Sequence, residues 1–337
     1  MSGSKIKLLS CLFFLSVTNL VCRPPMYFAL ATDTEFYERA VNLIATIHYY
    51  NFECTEEIAV FDLGLDASQR NFLNDIEKVK VYDVELVHPQ LLTKFVVAPD
   101  AGKYARGWYA WKPVIIKQAL DMFPYVLYMD AGISVVGPLD DLFEHLQQVG
   151  YLFVDCNYLI KARITRPVIN LFNLFTPQKN YIVNRLGISA GFQGVTHHLY
   201  EPYVMPMYNI VKNNFECFID DGSAPGGFGE ARHDQMIASV MVNLLNYTIH
   251  RIFFDHGPAL RVAAGLKEFK RDQYIHFTKE QINLNKTKPY LHMKPPFARV
   301  NAQNYYSIPL GSVINKSQKL LSKQKKTIKN KIFKLKK

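Results

Sequence analysis

The sequence predicts an α/β protein, one domain built on a central, mostly parallel sheet flanked by helices. Two observations carry this. Short apolar runs bounded by turn residues alternate with segments of helical spacing. Over residues 26–84 the order is strand, helix, strand, helix, strand, the pattern of parallel strands joined by crossover helices.

Residues 26–31 (MYFALA) read as a buried strand closed by Thr32 and Asp33. Residues 35–50 place Phe36, Ala40, Leu43, Ile44 and Ile47 at helical spacing. Residues 58–63 form the second strand, 67–76 a short helix and 79–84 the third strand. A helix over 113–122 opens on Pro113, where a first turn needs no N–H. Residues 126–129 are a strand running into Asp130, Ala131 and Gly132, and 133–136 continue extended. A helix follows over 139–146, with strands at 151–154 and at 188–195, the second punctuated by glycine. Residues 197–213 read as largely helical despite Pro202 and Pro206. Residues 220–229 carry four glycines and make a flexible loop. Residues 233–245 form a helix with Met236, Val240 and Leu244 on one face. Short strands and loops follow to about residue 308.

The 337-residue chain carries a net charge of +10, but ten lysines and no acid lie in residues 316–337. The remainder is formally neutral, so the body is not a basic nucleic-acid-binding surface. The five cysteines show no CxxC or zinc-type spacing and read as small buried residues. Residues 1–25 have the form of a signal peptide or short membrane anchor: Lys5 and Lys7, an apolar run over 8–17, then Pro24 and Pro25. That start implies a membrane-associated, secretory-lumen or secreted protein. In the tail, 311–337, Leu321, Ile328 and Leu335 repeat at seven, with Ile332 four after Ile328. It is either an amphipathic helix on an anionic membrane or a solvated, disordered tail. Residues 26–310 are the domain.

The candidate chemistry centres on Asp130. An apolar strand delivers one carboxylate to its C-terminal end, where open α/β sheets bind ligands. Mg²⁺ or Mn²⁺ prefers one or two carboxylates together with phosphate oxygens and water. A turn aspartate with no ligand is the plainer reading of that one residue. Three further segments stand in order around it: Phe61-Asp62-Leu63-Gly64, then Trp108-Tyr109-Ala110-Trp111-Lys112-Pro113, and later His233-Asp234-Gln235.

Together these segments resemble the GT-A-fold nucleotide-diphospho-sugar transferases, in the style of the glycogenin-like and lipopolysaccharide-galactosyltransferase-like enzymes. The resemblance covers about residues 26–300. It implies transfer of a sugar from a nucleotide donor, a UDP-sugar by preference, to a hydroxyl of a glycan, lipid or protein. It implies Mn²⁺ or Mg²⁺ on Asp130, with His276 as second ligand and His256 or His292 as competitors. Gly132 stands where that family's second metal-binding aspartate would be, which removes one ligand. Asp33, Trp111, Lys112, Ala131, Gly132, Gln235 and Lys288 are expected around the donor, and Asp234 and Glu230 at the chemistry. A nucleotidyltransferase would want a glycine-rich basic loop after the first strand, and Ala31-Thr32-Asp33-Thr34-Glu35 is neither. A non-catalytic protein that keeps the fold and binds glycans or a membrane is the competing reading.

Overall fold

The computed structural model describes residues 23–98, 103–135, 137–250, 275–277, 291–292 and 294. In chain order the elements are β1 (Met26–Thr32), α1 (Tyr37–Asn51), β2 (Thr55–Asp62), α2 (Ala67–Asp75), β3 (Val79–Asp83), β4 (Lys94–Ala98), β5 (Lys103–Arg106), α3 (Trp111–Met122), β6 (Tyr125–Met129), β7 (Ile133–Val135), α4 (Asp140–Val149), β8 (Tyr151–Leu159), α5 (Arg166–Phe172), β9 (Leu186–Thr196), α6 (Met205–Asn213), α7 (His233–Leu244), β10 (Ile249–His250) and β11 (Ile275–Phe277).

Seven strands form one sheet in the order β10-β8-β9-β6-β1-β2-β3. Four of its six pairings are parallel, and β9 runs against both its neighbours. The chain leaves β1 for β2 on one side and later fills the other side with β6. The C-terminal ends of β1 and β6 therefore flank a topological switch point, the place where such sheets bind ligands.

Both faces of the sheet are buried, which is why its strands read as unbroken apolar runs rather than alternating ones. Phe28 and Leu30 pack with Leu43, Ile44 and Phe143 on one face, while Ala29 and Ala31 lie on the other with Val114 and Ile115. Along β6, Leu127 and Met129 join the first face, Val126 and Tyr128 the second. α2 starts on a capping box legible in the sequence as Asp-x-x-Gln: Asp66 Oδ1 accepts from Gln69 N at 2.8 Å, and Asp66 N donates to Gln69 Oε1 at 3.1 Å.

Over residues 26–250 the expected strands and helices are present with shifted ends, while most of the short strands expected up to about residue 308, the start of the chain to residue 22 and the 311–337 tail lie outside the described residues. Residues 197–213 are helical as expected, with the winding changing along the stretch: a 3₁₀ turn, His197–Leu199, passes into a π turn, Tyr200–Val204, before α6 begins. Pro202 and Pro206 remove two N–H donors there, and the widened turn absorbs the loss. The β4–β5 hairpin and α5 were not signalled by periodicity. Cys217 is buried and Cys54 and Cys156 are half-buried, all as free thiols. Among the described residues no helix is long and apolar enough to cross a membrane.

His292 and Lys294 lie at the N-terminal ends of β2 and β3. Glu77 N donates to His292 O and Lys294 N to Asp75 O, both at 2.7 Å. Lys294 Nζ donates to Asn74 O at 2.7 Å and Val79 O at 3.0 Å. The His292 ring stacks on Phe52 at 3.5 Å, and its backbone N–H donates to His48 Nδ1 at 3.2 Å. His292 thus sits at the edge opposite Asp130 and is no partner for it.

Burial, seconded by His292, pushes the His48 imidazole from its ordinary 6.5 down to about 3. Between those values the unfolded chain binds the proton and the folded chain does not. Stability is therefore complete above pH 6.5 and falls as pH drops, by up to about 1.4 kcal/mol per pH unit. We expect urea midpoints to fall from pH 7 to pH 5, and the His48→Gln variant to show a flatter slope over that range.

Candidate active site

β6 ends where its apolar run ends, and the next residue, Asp130, turns out of the sheet. Its backbone N–H donates to Gly191 O at 2.8 Å, and its C=O accepts from Ile133 N at 2.9 Å, which closes the Asp130-Ala131-Gly132 turn. Ala131 is buried in that turn. Asp130 lies two residues beyond Tyr128 and so points to the same face of the sheet. The Tyr128 hydroxyl, fully buried, donates to Asp130 Oδ1 at 2.5 Å.

Two helices start at this point. α3 brings Lys112 in its first turn, and α7 brings Asp234 in its first turn. Lys112 Nζ lies 3.0 Å from Asp130 Oδ1, 3.2 Å from Oδ2 and 3.7 Å from Asp234 Oδ2. The rings of Tyr109, Trp111 and Tyr128 surround the ammonium at 5.3, 5.7 and 5.8 Å. The Lys112 side chain is 7% exposed, Asp234 7% and Asp130 40%, so Asp130 alone opens to solvent.

Burial alone would pull the Lys112 ammonium down, but Asp130 and then Asp234 outweigh it and hold the lysine above its ordinary value. Burial pushes the Asp234 carboxyl up to about 6, against the pull of Lys112. At 3.7 Å, Asp234 is the more weakly paired of the two acids. A buried carboxyl displaced in this way at a strand-end cluster makes Asp234 a candidate functional position. Burial also raises Tyr128 well above its ordinary value, so it remains a hydrogen-bond donor.

The connection that delivers Lys112 is strained. Gly107, Trp108 and Tyr109 all have positive φ, at 52°, 50° and 63°. Gly107 has no alternative, since a Cβ there would meet Leu91 O at 1.9 Å. Trp108 stacks on Phe95 at 5.3 Å and meets Phe228 and His233 at 6.4 and 5.0 Å. Neither the Trp108 nor the Trp111 indole N–H has an acceptor among the described residues. Backbone strain and unmet donors gathered at one place are what ligand sites retain.

At the end of β1, Asp33 is fully engaged. Its Oδ2 accepts from Arg106 Nε and Nη2 at 3.2 and 3.0 Å, and its Oδ1 from the N–H groups of Glu35 and Phe36 at 3.0 and 3.2 Å. Glu230 pairs with Arg163 at the end of the glycine loop rather than with Lys112. Gln235 is half-buried beside Asp234. Asp234 does not cap α7: the N-cap is Arg232, without a side-chain cap bond. β11 pairs with β7 and sets His276 opposite Ser134, four residues past Asp130. The His276 side chain, His256 and Lys288 lie outside the described residues.

Three contributors escaped the sequence reading. Tyr128 was findable from its two-residue offset to Asp130. Arg106 had no local signal. Gly191 faces Asp130 across the β6–β9 pair, and a methyl there would come within 2.6 Å of Asp130 Oδ2. Behind the cluster a cavity of about 10 Å³ is lined by Lys112, Gln193, Tyr203 and Asp234. It has room for about one water, so any larger ligand would have to lie on the open side of Asp130.

No protein-family model and no curated protein matches the chain. Solved structures do resemble it. The mannosyltransferase Ktr4p of S. cerevisiae is 12% identical, covering 86% of this chain and 76% of its own, with a TM-score of 0.45. Core-mannan synthase A (CmsA/Ktr4) of Aspergillus fumigatus in its Mn/GDP form is 11% identical over 66% and 70%, at 0.45. Mouse xyloside xylosyltransferase 1 is 12% identical over 78% and 98%, at 0.42. The likeness is one of fold alone. At these scores the likeness assigns neither donor nor acceptor to this chain.

Gly191→Ala is expected to displace the Asp130 carboxylate and cost about 1–3 kcal/mol. Thermal unfolding checks this, and in an Asp130→Ala background most of the penalty should vanish.

Proposed function

We propose that this protein transfers a glycosyl group from a nucleoside-diphosphate donor, a UDP-sugar by preference, to an acceptor hydroxyl. The observation that carries the proposal is the buried Lys112 held between Asp130 and Asp234 at the β1–β6 switch point. The first turns of α3 and α7 point their N–H groups at the same place, and helix N-termini favour phosphate. The open edge of Asp130 offers an acceptor to a hydroxyl-rich ligand.

In the reaction the bond from the anomeric carbon to the diphosphate oxygen breaks, and a bond to the acceptor oxygen forms. The acceptor proton passes to a carboxylate. Glu230, whose side chain is 43% exposed, is the accessible candidate base, and Asp234, buried and shifted to about 6, orients the donor sugar. Ala131, Gly132 and Gln235 line the donor's approach. Most of the rate gain in such a site comes from positioning and fixed charge.

The Arg163–Glu230 pair and Gly132 favour a second reading, a protein of this fold that binds glycans without turning them over. In either case the lysine-rich tail and the apolar start would hold the protein at an anionic membrane or within a secretory compartment. Co-sedimentation with phosphatidylserine vesicles, with and without residues 313–337, tests that part.

The central test screens UDP- and GDP-sugars for transfer and hydrolysis. Asp130→Asn and Asp234→Asn should each lower turnover by about 10²–10³-fold. Donor binding that survives with no turnover in the native chain would favour the second reading. Absence of both for every donor would remove the proposal.

A further inference from the structure

The fold resemblance implies a divalent ion on Asp130, and the described residues do not fit one. A carboxylate that holds Mn²⁺ or Mg²⁺ needs a free oxygen and usually a second ligand. Here Lys112 Nζ straddles both Asp130 oxygens at 3.0 and 3.2 Å, which is where a bidentate ion would approach. Tyr128 donates to Oδ1 at 2.5 Å. On the other side, the backbone of Gly191 runs so close to Oδ2 that a methyl there would come within 2.6 Å. Asp234, the nearest other acid, faces the same ammonium at 3.7 Å and is buried. Gly132 supplies no carboxylate.

We infer that the resident cation of this site is the Lys112 ammonium, and that Asp130 takes part in donor binding without a divalent ion. The inference rests on the nucleotide-donor reading for its role, though not for its test. The ring cage and the two acids fix the ammonium in place, and a second cation against the same carboxylate would meet its charge at close range. The Lys112 ammonium then offsets the Asp130 charge from behind, and the first turns of α3 and α7 are left to meet a diphosphate.

Lys112→Gln changes this balance. It removes the cation and leaves Asp130 and Asp234 facing the space the ammonium filled, a two-carboxylate pocket of the kind these ions accept. Lys112→Arg keeps the cation and should behave like the native chain.

The experiment is Mn²⁺ titration of the full chain followed by electron paramagnetic resonance, with no nucleotide present. UDP and GDP binding is then measured calorimetrically in Mn²⁺ and in EDTA. The native chain and Lys112→Arg should leave the free-ion signal intact, and native nucleotide affinity should be the same in both media. Lys112→Gln, folded by circular dichroism, should quench the free-ion signal and bind nucleotide at least about tenfold more tightly in Mn²⁺ than in EDTA. One Mn²⁺ bound by the native chain and lost in Asp130→Ala or His276→Ala would overturn the inference. So would a folded Lys112→Gln that leaves the free-ion signal unchanged. If Lys112→Gln does not fold, the native titration decides alone. Failure to bind any nucleotide, with the Mn²⁺ results as expected, would count against the transferase reading and leave the cation assignment standing.

Discussion

A lysine ammonium taken out of water at the start of a helix is the constraint around which this molecule is arranged. Burial opposes the charge, and so does the positive end of the α3 dipole. Two acids and three aromatic rings offset those costs. The two acids come from different elements, so one cation ties the end of β6 to the starts of α3 and α7. Removing either acid would leave a buried charge short of its partner, a loss of about 3–5 kcal/mol in comparable pairs. A pair of well-packed apolar residues would serve stability as well. Keeping the charges is therefore an argument for chemistry.

The same short connection carries a second cation. Arg106 closes on Asp33 at the end of β1, and Lys112 closes on Asp130 at the end of β6. Between them the chain makes its left-handed turn through Gly107, Trp108 and Tyr109. The two strands on either side of the switch point are thus bound to one segment whose shape only glycine at position 107 permits. A ligand that moves this turn would shift both charge pairs together.

Much of this was legible in the sequence because it is local. The strand before Asp130 is an unbroken apolar run, the α2 capping box has its own spacing, and Trp111, Lys112 and Asp234 stand at helix starts. What was not legible depends on tertiary neighbours. Nothing near Gly191 says that it faces a carboxylate across a sheet pair. Nothing near Arg106 names Asp33, 73 residues away, as its partner. The helical stretch expected at 197–213 is there, but its change of winding around Pro202 and Pro206 could not be read from the apolar pattern. Glu230 looked available from its loop position, and only the fold brings Arg163 to it.

The docking of His292 and Lys294 at the starts of the first strands bears on how the chain can assemble. Lys294 reaches carbonyls 215 and 220 residues earlier, and His292 lies over a ring that emerges from the ribosome long before it. Contacts that span so much sequence form late, since the intervening loop must close first. During synthesis the edge at Phe52, Asn74 and Val79 stands uncovered, with carbonyls awaiting donors, until the far end of the domain has been made. That interval exposes strand starts and an aromatic surface to other nascent chains, so the growing polypeptide is at its most vulnerable to misassociation just before its last contacts close.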